Sequence, residues 1–248
     1  VEPVASAVRV GRRGQCLGGL LEQLRGGSPV AGEGHHAGAA EVVVDAAVPP
    51  ALLGVGRVDG LDQPLPAPWS HWDCRNNRLA WRGLQADRFA ASVAQAVRRH
   101  GAGRVGLVLG SSTASIGATE DAYRMLDASG VFPPQPDNPA LHTLHSLTGF
   151  VQEALGLQGP SLTISTACSS SAKAFAAAER WLRLGLADAV VVGGVDSLFA
   201  TVLFRFHSLQ LVSPEPCRPF DLGRRGISIG EAAGFALLER GNEGLLLL

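Results

Sequence analysis

The sequence predicts an α/β fold, in which a mainly parallel sheet is covered by helices on both faces. Three observations carry that expectation. Short strand-like runs at 104–109, 161–165 and 189–192 alternate with longer stretches at helical spacing, the order that joins parallel strands by crossover helices. Glycines stand where these runs end, at Gly110, Gly193 and Gly194. The 248 residues, 46% apolar and 17% charged, suffice for a sizeable core and are unlike a disordered chain.

The first seventy or so residues are rich in Gly and Pro, and Pro49-Pro50 and the prolines at 64, 66 and 68 interrupt any long element. Residues 1–73 are therefore read as a poorly determined segment of the same domain. Over 84–100, Phe89, Val93 and Val97 mark one apolar helix face, Arg88, Gln95 and Arg98 face elsewhere, and Gly101 is the stop. A buried strand at 104–109 leads into Gly110-Ser111-Ser112-Thr113, and a further helix is expected over about 140–155. Gly159-Pro160 introduces the strand at 161–165, read as buried, whose Ser161, Thr163 and Ser165 alternate with Leu162 and Ile164. The run from Ala172 carries Phe175, Ala176, Glu179, Leu182 and Arg183 at helical spacing as far as Leu184, and Gly185 is a plausible stop. The last expected strand, 189–192, ends at Gly193-Gly194.

Composition narrows the function classes. Cys16, Cys74, Cys168 and Cys217 are scattered without CxxC spacing, so neither a zinc site nor a disulfide framework is suggested, and no metal or cofactor is expected. A net charge of −1 gives no global attraction to nucleic acid. No run approaches the roughly 20 apolar residues of a membrane span, and no leader pattern opens the chain, so a cytoplasmic location is expected. The chain begins at Val1, as a fragment or a processed product would. The loop 110–117 lacks the Gly-Lys-Ser/Thr ending of a phosphate cradle, and there is no GxSxG elbow.

Cys168 is the strongest candidate for chemistry, because it stands in Thr166-Ala167-Cys168-Ser169-Ser170-Ser171, between an expected strand and an expected helix. A thiol there faces unpaired backbone N–H groups and the positive end of the helix dipole, which favour the thiolate and can also hold an oxyanion. Burial as a small hydrophobe is the competing reading, and local geometry alone does not choose between them.

Four ordered motifs extend the argument: Thr166-Ala167-Cys168-Ser169-Ser170-Ser171, Gly193-Gly194-Val195-Asp196-Ser197, Cys217-Arg218-Pro219-Phe220-Asp221 and Gly230-Glu231-Ala232-Ala233-Gly234. In this order and spacing they resemble the β-ketoacyl-[acyl-carrier-protein] synthases, over roughly 74–240. The resemblance implies the N-terminal half of a thiolase-like layered αβα fold. It also implies that Cys168 carries the acyl group and that Glu231 supports the site from beneath; a surface carboxylate is the alternative for Glu231. In such enzymes the acyl-cysteine condenses with a malonyl-carrier thioester that has lost CO₂, lengthening the chain by two carbons. The implied pathways are fatty acid, polyketide or aryl-polyene biosynthesis. The runs at 75–78, 119–124 and 208–217 look most like the aryl-polyene subfamily.

None of the seven histidines sits in the motifs that supply the family's two catalytic histidines, so the second half is expected to be absent. The tail 241–248 resembles nothing in the family, and the chain as given is not expected to complete condensation. His142 and His145, three apart on the expected helix, would share a face, but no third metal ligand is evident and a helix-surface role is the simpler reading. His207 is read as structural. Asp196 and Asp221 are read as turn and loop anchors, since short carboxylates bond local backbone N–H groups.

The implied partner is an acyl carrier protein bearing acyl and malonyl thioesters, docked through the arginines at 75, 78, 82, 98 and 99. The resemblance also implies a dimer, homo- or heteromeric, paired along the strand before Cys168. A thiolase acting on coenzyme A thioesters and a non-catalytic partner like a chain-length factor are the alternatives, although the latter typically lacks the cysteine.

Overall fold

The computed structural model describes residues 5–6, 9–10, 55–132 and 139–241. Cys16 and the tail 242–248 lie outside the described residues. The chain divides into two units, of which the first holds 61–197 together with the N-terminal strands and the segment from Ala232 onward.

The first unit is built on one mixed sheet of six strands: β1 (Ala5–Ser6), β2 (Arg9–Val10), β3 (Val105–Gly110), β4 (Ser161–Ile164), β5 (Ala189–Asp196) and β6 (Ala232–Gly241). Their order is β1-β6-β5-β3-β4, with β2 also on β6. The strands read from the sequence, β3, β4 and β5, form the parallel part of the sheet; β4, expected to be buried, is exposed to half-buried because among the described residues it has β3 on one side only. β6 was not anticipated; it runs antiparallel to β5, from Ala189↔Glu239 to Asp196↔Ala232, and carries β1 and β2 on its other side. Every residue of β3 is buried, as a strand covered on both faces requires.

Strand alternation sorts the two faces. Val108, Val190, Val192, Ala236 and Leu238 point toward Ala174, Ala178 and Leu182 on helix α5 (Ser170–Arg183), which forms one apolar cluster with them. Burying each of these larger side chains contributes about 1.5–3 kcal/mol. The opposite face receives α1 (Arg75–Gln85) and α2 (Phe89–His100): Gly83 of α1 sits against Phe235 and Ala233, and Phe89 of α2 stacks on Phe235 with ring centroids 5.8 Å apart. Helix α3 (Ile116–Arg124) follows the loop after β3, and α4 (Ser146–Ala154) buries Leu147, Phe150 and Val151.

Two helix expectations are corrected. The helix expected over 84–100 is two helices, broken at 86–88 where Asp87 and Arg88 take left-handed φ of 49° and 59°. The first begins at Arg75, in a stretch that looked polar because Asn76 and Asn77 are buried for hydrogen bonding: Asn77 Nδ2 donates to the Trp72 carbonyl and to Ser146 Oγ, at 2.9 and 3.1 Å. The helix expected over 140–155 is a 3₁₀ turn at Pro139–His142 followed by α4, so His142 and His145 lie on different elements and share no helix face.

The second unit comprises the described residues 55–60 and the segment 198–231. It contains α6 (Ala200–Ser208), then a largely exposed stretch held by bridges between Gly56 and Gly230 and between Val212 and Ile227. Among the described residues no helix is long and apolar enough to cross a membrane.

Candidate functional site

Cys168 lies one residue outside the N-cap of α5, four residues beyond the end of β4, and is exposed. The connection is a tight turn in which Ala167 takes a left-handed φ of 53°, a conformation costly for a residue with a Cβ. Hydroxyls hold it there. Ser170 Oγ donates to the Ala167 carbonyl at 2.6 Å and accepts the Thr166 N–H at 2.9 Å, while Ser169 Oγ donates to the Thr166 carbonyl at 2.8 Å. The serines after the cysteine therefore knot the turn that presents it. The helix dipole of α5 then places its positive end within two residues of Cys168.

Two glycines let this helix end approach the sheet. A Cβ built at Gly110, the last residue of β3, would lie 2.7 Å from both the Ser170 carbonyl carbon and the Ser171 nitrogen. One built at Gly194 on β5 would collide with Ser171 Oγ. The glycines of the sequence thus do more than end strands: they set the height of the Cys168 turn over the sheet.

Beside the turn, the loop after β3 is tied down from β5. The Asp196 carboxylate accepts from Ser111 Oγ at 2.9 Å and from the Ser112 N–H at 2.8 Å, the loop-anchor role its sequence position suggested. Asp221 anchors its own turn likewise, accepting the Gly223 N–H at 2.6 Å.

The other cysteines differ. Cys74 is the buried N-cap residue of α1, and burial pushes its thiol up to about 11. Cys217, in the second unit, is exposed. Glu231 belongs to that unit too, and is buried, not a surface carboxylate; its Oε1 accepts the Val58 N–H and its Oε2 the Leu198 N–H, both at 3.0 Å. It thereby staples residues 56–58 to the chain entering α6.

His142 Nδ1 lies 3.0 Å from Thr119 Oγ1, His145 is exposed, and His207 is half-buried on α6. No group of three metal-ligating side chains occurs among the described residues. Arg78 is not a surface charge awaiting a partner: its guanidinium grips Asp73 through Nε, at 2.8 Å, and through Nη2, at 2.5 Å, and donates to the Leu61 carbonyl. Burial alone would raise the Asp73 carboxyl, but the Arg78 hydrogen bonds, the Leu65 N–H and the Arg78 charge outweigh it and hold Asp73 below its ordinary value. Arg99 pairs with Glu239 at 2.7 Å yet stays half exposed.

Among the described residues, strand β4 lies at one edge of the sheet, paired with β3 alone. The Pro160 and Ile164 carbonyls accept the Leu107 and Ser111 N–H groups of the β3 side, so by alternation the N–H and C=O of Thr163 point outward along that edge.

Comparisons with known proteins agree with this architecture. The sequence profile of the β-ketoacyl synthase N-terminal domain matches residues 78–244. Nodulation protein E of Rhizobium meliloti is 35% identical over 142 residues, 55% of this chain and 34% of that protein. A 3-oxoacyl-[acyl-carrier-protein] synthase 2 of Vibrio cholerae is 29% identical over 150 residues, covering 58% and 36% respectively. Among solved structures, a ketosynthase in complex with its chain length factor from Xenorhabdus doucetiae superposes with TM-score 0.64 and 33% identity, over 76% of this chain and 47% of that one. The chain spans about a third of the length of the curated relatives it matches.

Proposed function

We propose, from the premise that this chain belongs to the β-ketoacyl synthase family, that it acts as the nucleophile-bearing part of a condensing acyltransferase, with Cys168 as the acyl acceptor. The observation that carries the reading is the exposed Cys168 on a strained strand-to-helix turn at the head of α5. The Cys168 thiolate attacks the carbonyl carbon of an acyl thioester, and the oxyanion is held in part by the Cys168 N–H. Collapse of that intermediate expels the carrier thiolate, which takes up a proton, and leaves an acyl-cysteine.

In the whole protein's proposed activity, a malonyl-carrier thioester then loses CO₂ and its carbanion attacks the carbonyl of the acyl-cysteine, breaking the C–S bond and expelling the Cys168 thiolate, to give a carrier-bound 3-oxoacyl product of fatty acid, polyketide or aryl-polyene synthesis. The proposed donor is an acyl carrier protein, with Arg75, Arg82, Arg98 and Arg99 as candidate docking charges; Arg78 is withdrawn because it is half-buried and gripped by Asp73 through two nitrogens, whereas Arg99 stays half exposed beside Glu239. We further propose that β4 pairs with a second ketosynthase-like subunit; its position at a sheet edge among the described residues supports this, since an uncovered edge invites aggregation. Glu231 is proposed to support the site by fixing the backbone at Leu198.

The test is transfer. Incubated with an acyl-carrier thioester, the chain should gain the acyl mass on the peptide containing Cys168, and Cys168→Ala should gain none. Equal or faster labelling from the acyl-coenzyme A thioester would favour a thiolase-type reaction, and labelling elsewhere would remove Cys168.

A further inference from the structure

We propose that Asp196 is a positioning residue for the Cys168 nucleophile, acting through the loop 111–114; this rests on the reading of Cys168 as the acyl acceptor. The Asp196 carboxylate does not face solvent as a spectator. Its Oδ1 accepts from Ser111 Oγ (2.9 Å), the Ser112 N–H (2.8 Å), the Thr113 N–H (3.3 Å) and Thr113 Oγ1 (3.4 Å), and its Oδ2 accepts the Ser112 N–H at 3.1 Å. Consecutive backbone N–H groups turned toward one anion form a nest, and here the anion is supplied by the protein itself.

The grip is passed on. Ser111 is fully buried, and its hydroxyl, while donating to Asp196, accepts the Ala114 N–H at 2.7 Å, where Ala114 is held at a left-handed φ of 46°. The same loop is laddered to the strand that leads to the nucleophile: the Ser111 N–H donates to the Ile164 carbonyl at 3.1 Å, and Ser165 Oγ donates to the Ser112 carbonyl at 3.4 Å. Cys168 follows Ile164 by four residues, through Ala167, whose own φ of 53° leaves the turn little slack. Asp196 is itself anchored from the far side, because the next residue, Ser197, donates its N–H to the buried Asn76 Oδ1 at 3.1 Å. A continuous route therefore runs from α1 through Asp196 and the 111–114 loop to the β4 end and the nucleophile. Each contact in it lies within the first unit.

The chemistry of the substitutions follows from which oxygen works. Asp196→Asn keeps the Oδ1 acceptor that takes four of the five contacts, whereas Asp196→Ala leaves the Ser112 N–H without its acceptor and the Thr113 N–H with Ser111 Oγ alone, at 3.4 Å. Ser111→Ala removes the hydroxyl that relays the grip to Ala114. The experiment is a saturation series for acylation of Cys168 in the full chain by an acyl-N-acetylcysteamine thioester, read by mass spectrometry, with a thermal melt of each variant. Asp196→Ala should lower the maximal acylation rate by about 10–100-fold, the scale of a nucleophile displaced by a fraction of an ångström to one ångström. The half-saturating thioester concentration should stay unchanged, Asp196→Asn should recover most of the rate, and Ser111→Ala should fall in the same direction as Asp196→Ala. Wild-type protein acylated at Cys168, with folded Asp196→Ala and Ser111→Ala acylated at the wild-type rate, would overturn this inference alone. A loss that merely tracks the unfolded fraction would overturn it too, whereas wild-type protein that takes no acyl group on Cys168 would overturn the nucleophile reading beneath it.

Discussion

Gly110→Ala should lift the nucleophile off the sheet. The new Cβ would meet the Ser170 carbonyl carbon and the Ser171 nitrogen at 2.7 Å and the Ser170 carbonyl oxygen at 2.9 Å, whereas ordinary contact begins near 3.4 Å. The head of α5 must therefore retreat by about 3.4 − 2.7 = 0.7 Å, because the obstructing atoms are backbone and cannot rotate away. Overpacking of this kind costs about 1–3 kcal/mol. At about 2–4 °C per kcal/mol for a chain of this size, the melting temperature should fall by roughly 2–12 °C. The same retreat carries Cys168 with it, so acylation should slow by about 10–100-fold even in the folded fraction. Gly103→Ala is the control, since a Cβ there meets nothing within 4 Å. Gly194→Ala is the companion: its obstacle is Ser171 Oγ, so the double variant Gly194→Ala/Ser171→Ala should recover much of what the single variant loses. The assays are a thermal melt and the rate of acyl transfer to Cys168. A Gly110→Ala protein with wild-type melting and wild-type acylation would refute the claim that glycine at this strand end sets the nucleophile's height.

Other outcomes follow from the same structure. Iodoacetamide near pH 8 should modify Cys168 ahead of Cys217 and leave Cys74 untouched, since Cys74 is buried and its thiol ionises only near 11; peptide mapping that finds Cys74 labelled first would contradict the packing of α1. Asp73→Asn should lower the melting temperature by a constant amount above about pH 5, and the gap to wild type should close as pH falls below about 4. The sign follows from Asp73 being held below its ordinary value, so that its stabilisation is full above the unfolded pKa and lost as pH falls through the folded one. A gap that widened in acid would reverse the assignment. Thr163→Pro removes an outward donor of β4 without touching its ladder to β3, and should dissociate the proposed dimer while leaving the fold; light scattering that finds unmodified protein monomeric would end the dimer proposal.

The strands at 105–109 and 189–192 were legible because their burial is written in apolar side chains on both faces, and α5 because apolar residues recur at helical spacing up to Gly185. Of the residues that marked α5 only Leu182 lies in the buried cluster, whose other members on the helix, Ala174 and Ala178, were not singled out. What escaped was structure made by polar atoms and backbone. Helix α1 hid behind Asn76 and Asn77, which look like loop residues and are buried as hydrogen-bonding posts. The break at Asp87 and Arg88 has no glycine or proline to announce it, and β6 is an alanine- and leucine-rich run that reads equally well as helix. At the site, the cysteine was visible from its motif. The left-handed turn at Ala167 has no glycine to announce it, and the close approach at Gly110 and Gly194 and the reach of Asp196 across to Ser111 depend on residues distant in sequence, which local spacing does not bring together.

The central claim, that Cys168 accepts an acyl group from a thioester, is tested most directly by intact mass and peptide mapping after incubation with an acyl-carrier thioester. The account predicts one acyl adduct, located on Cys168, labile to hydroxylamine as a thioester is, and absent in Cys168→Ala. Wild-type protein that stays unmodified, or an adduct that persists in Cys168→Ala, would contradict it.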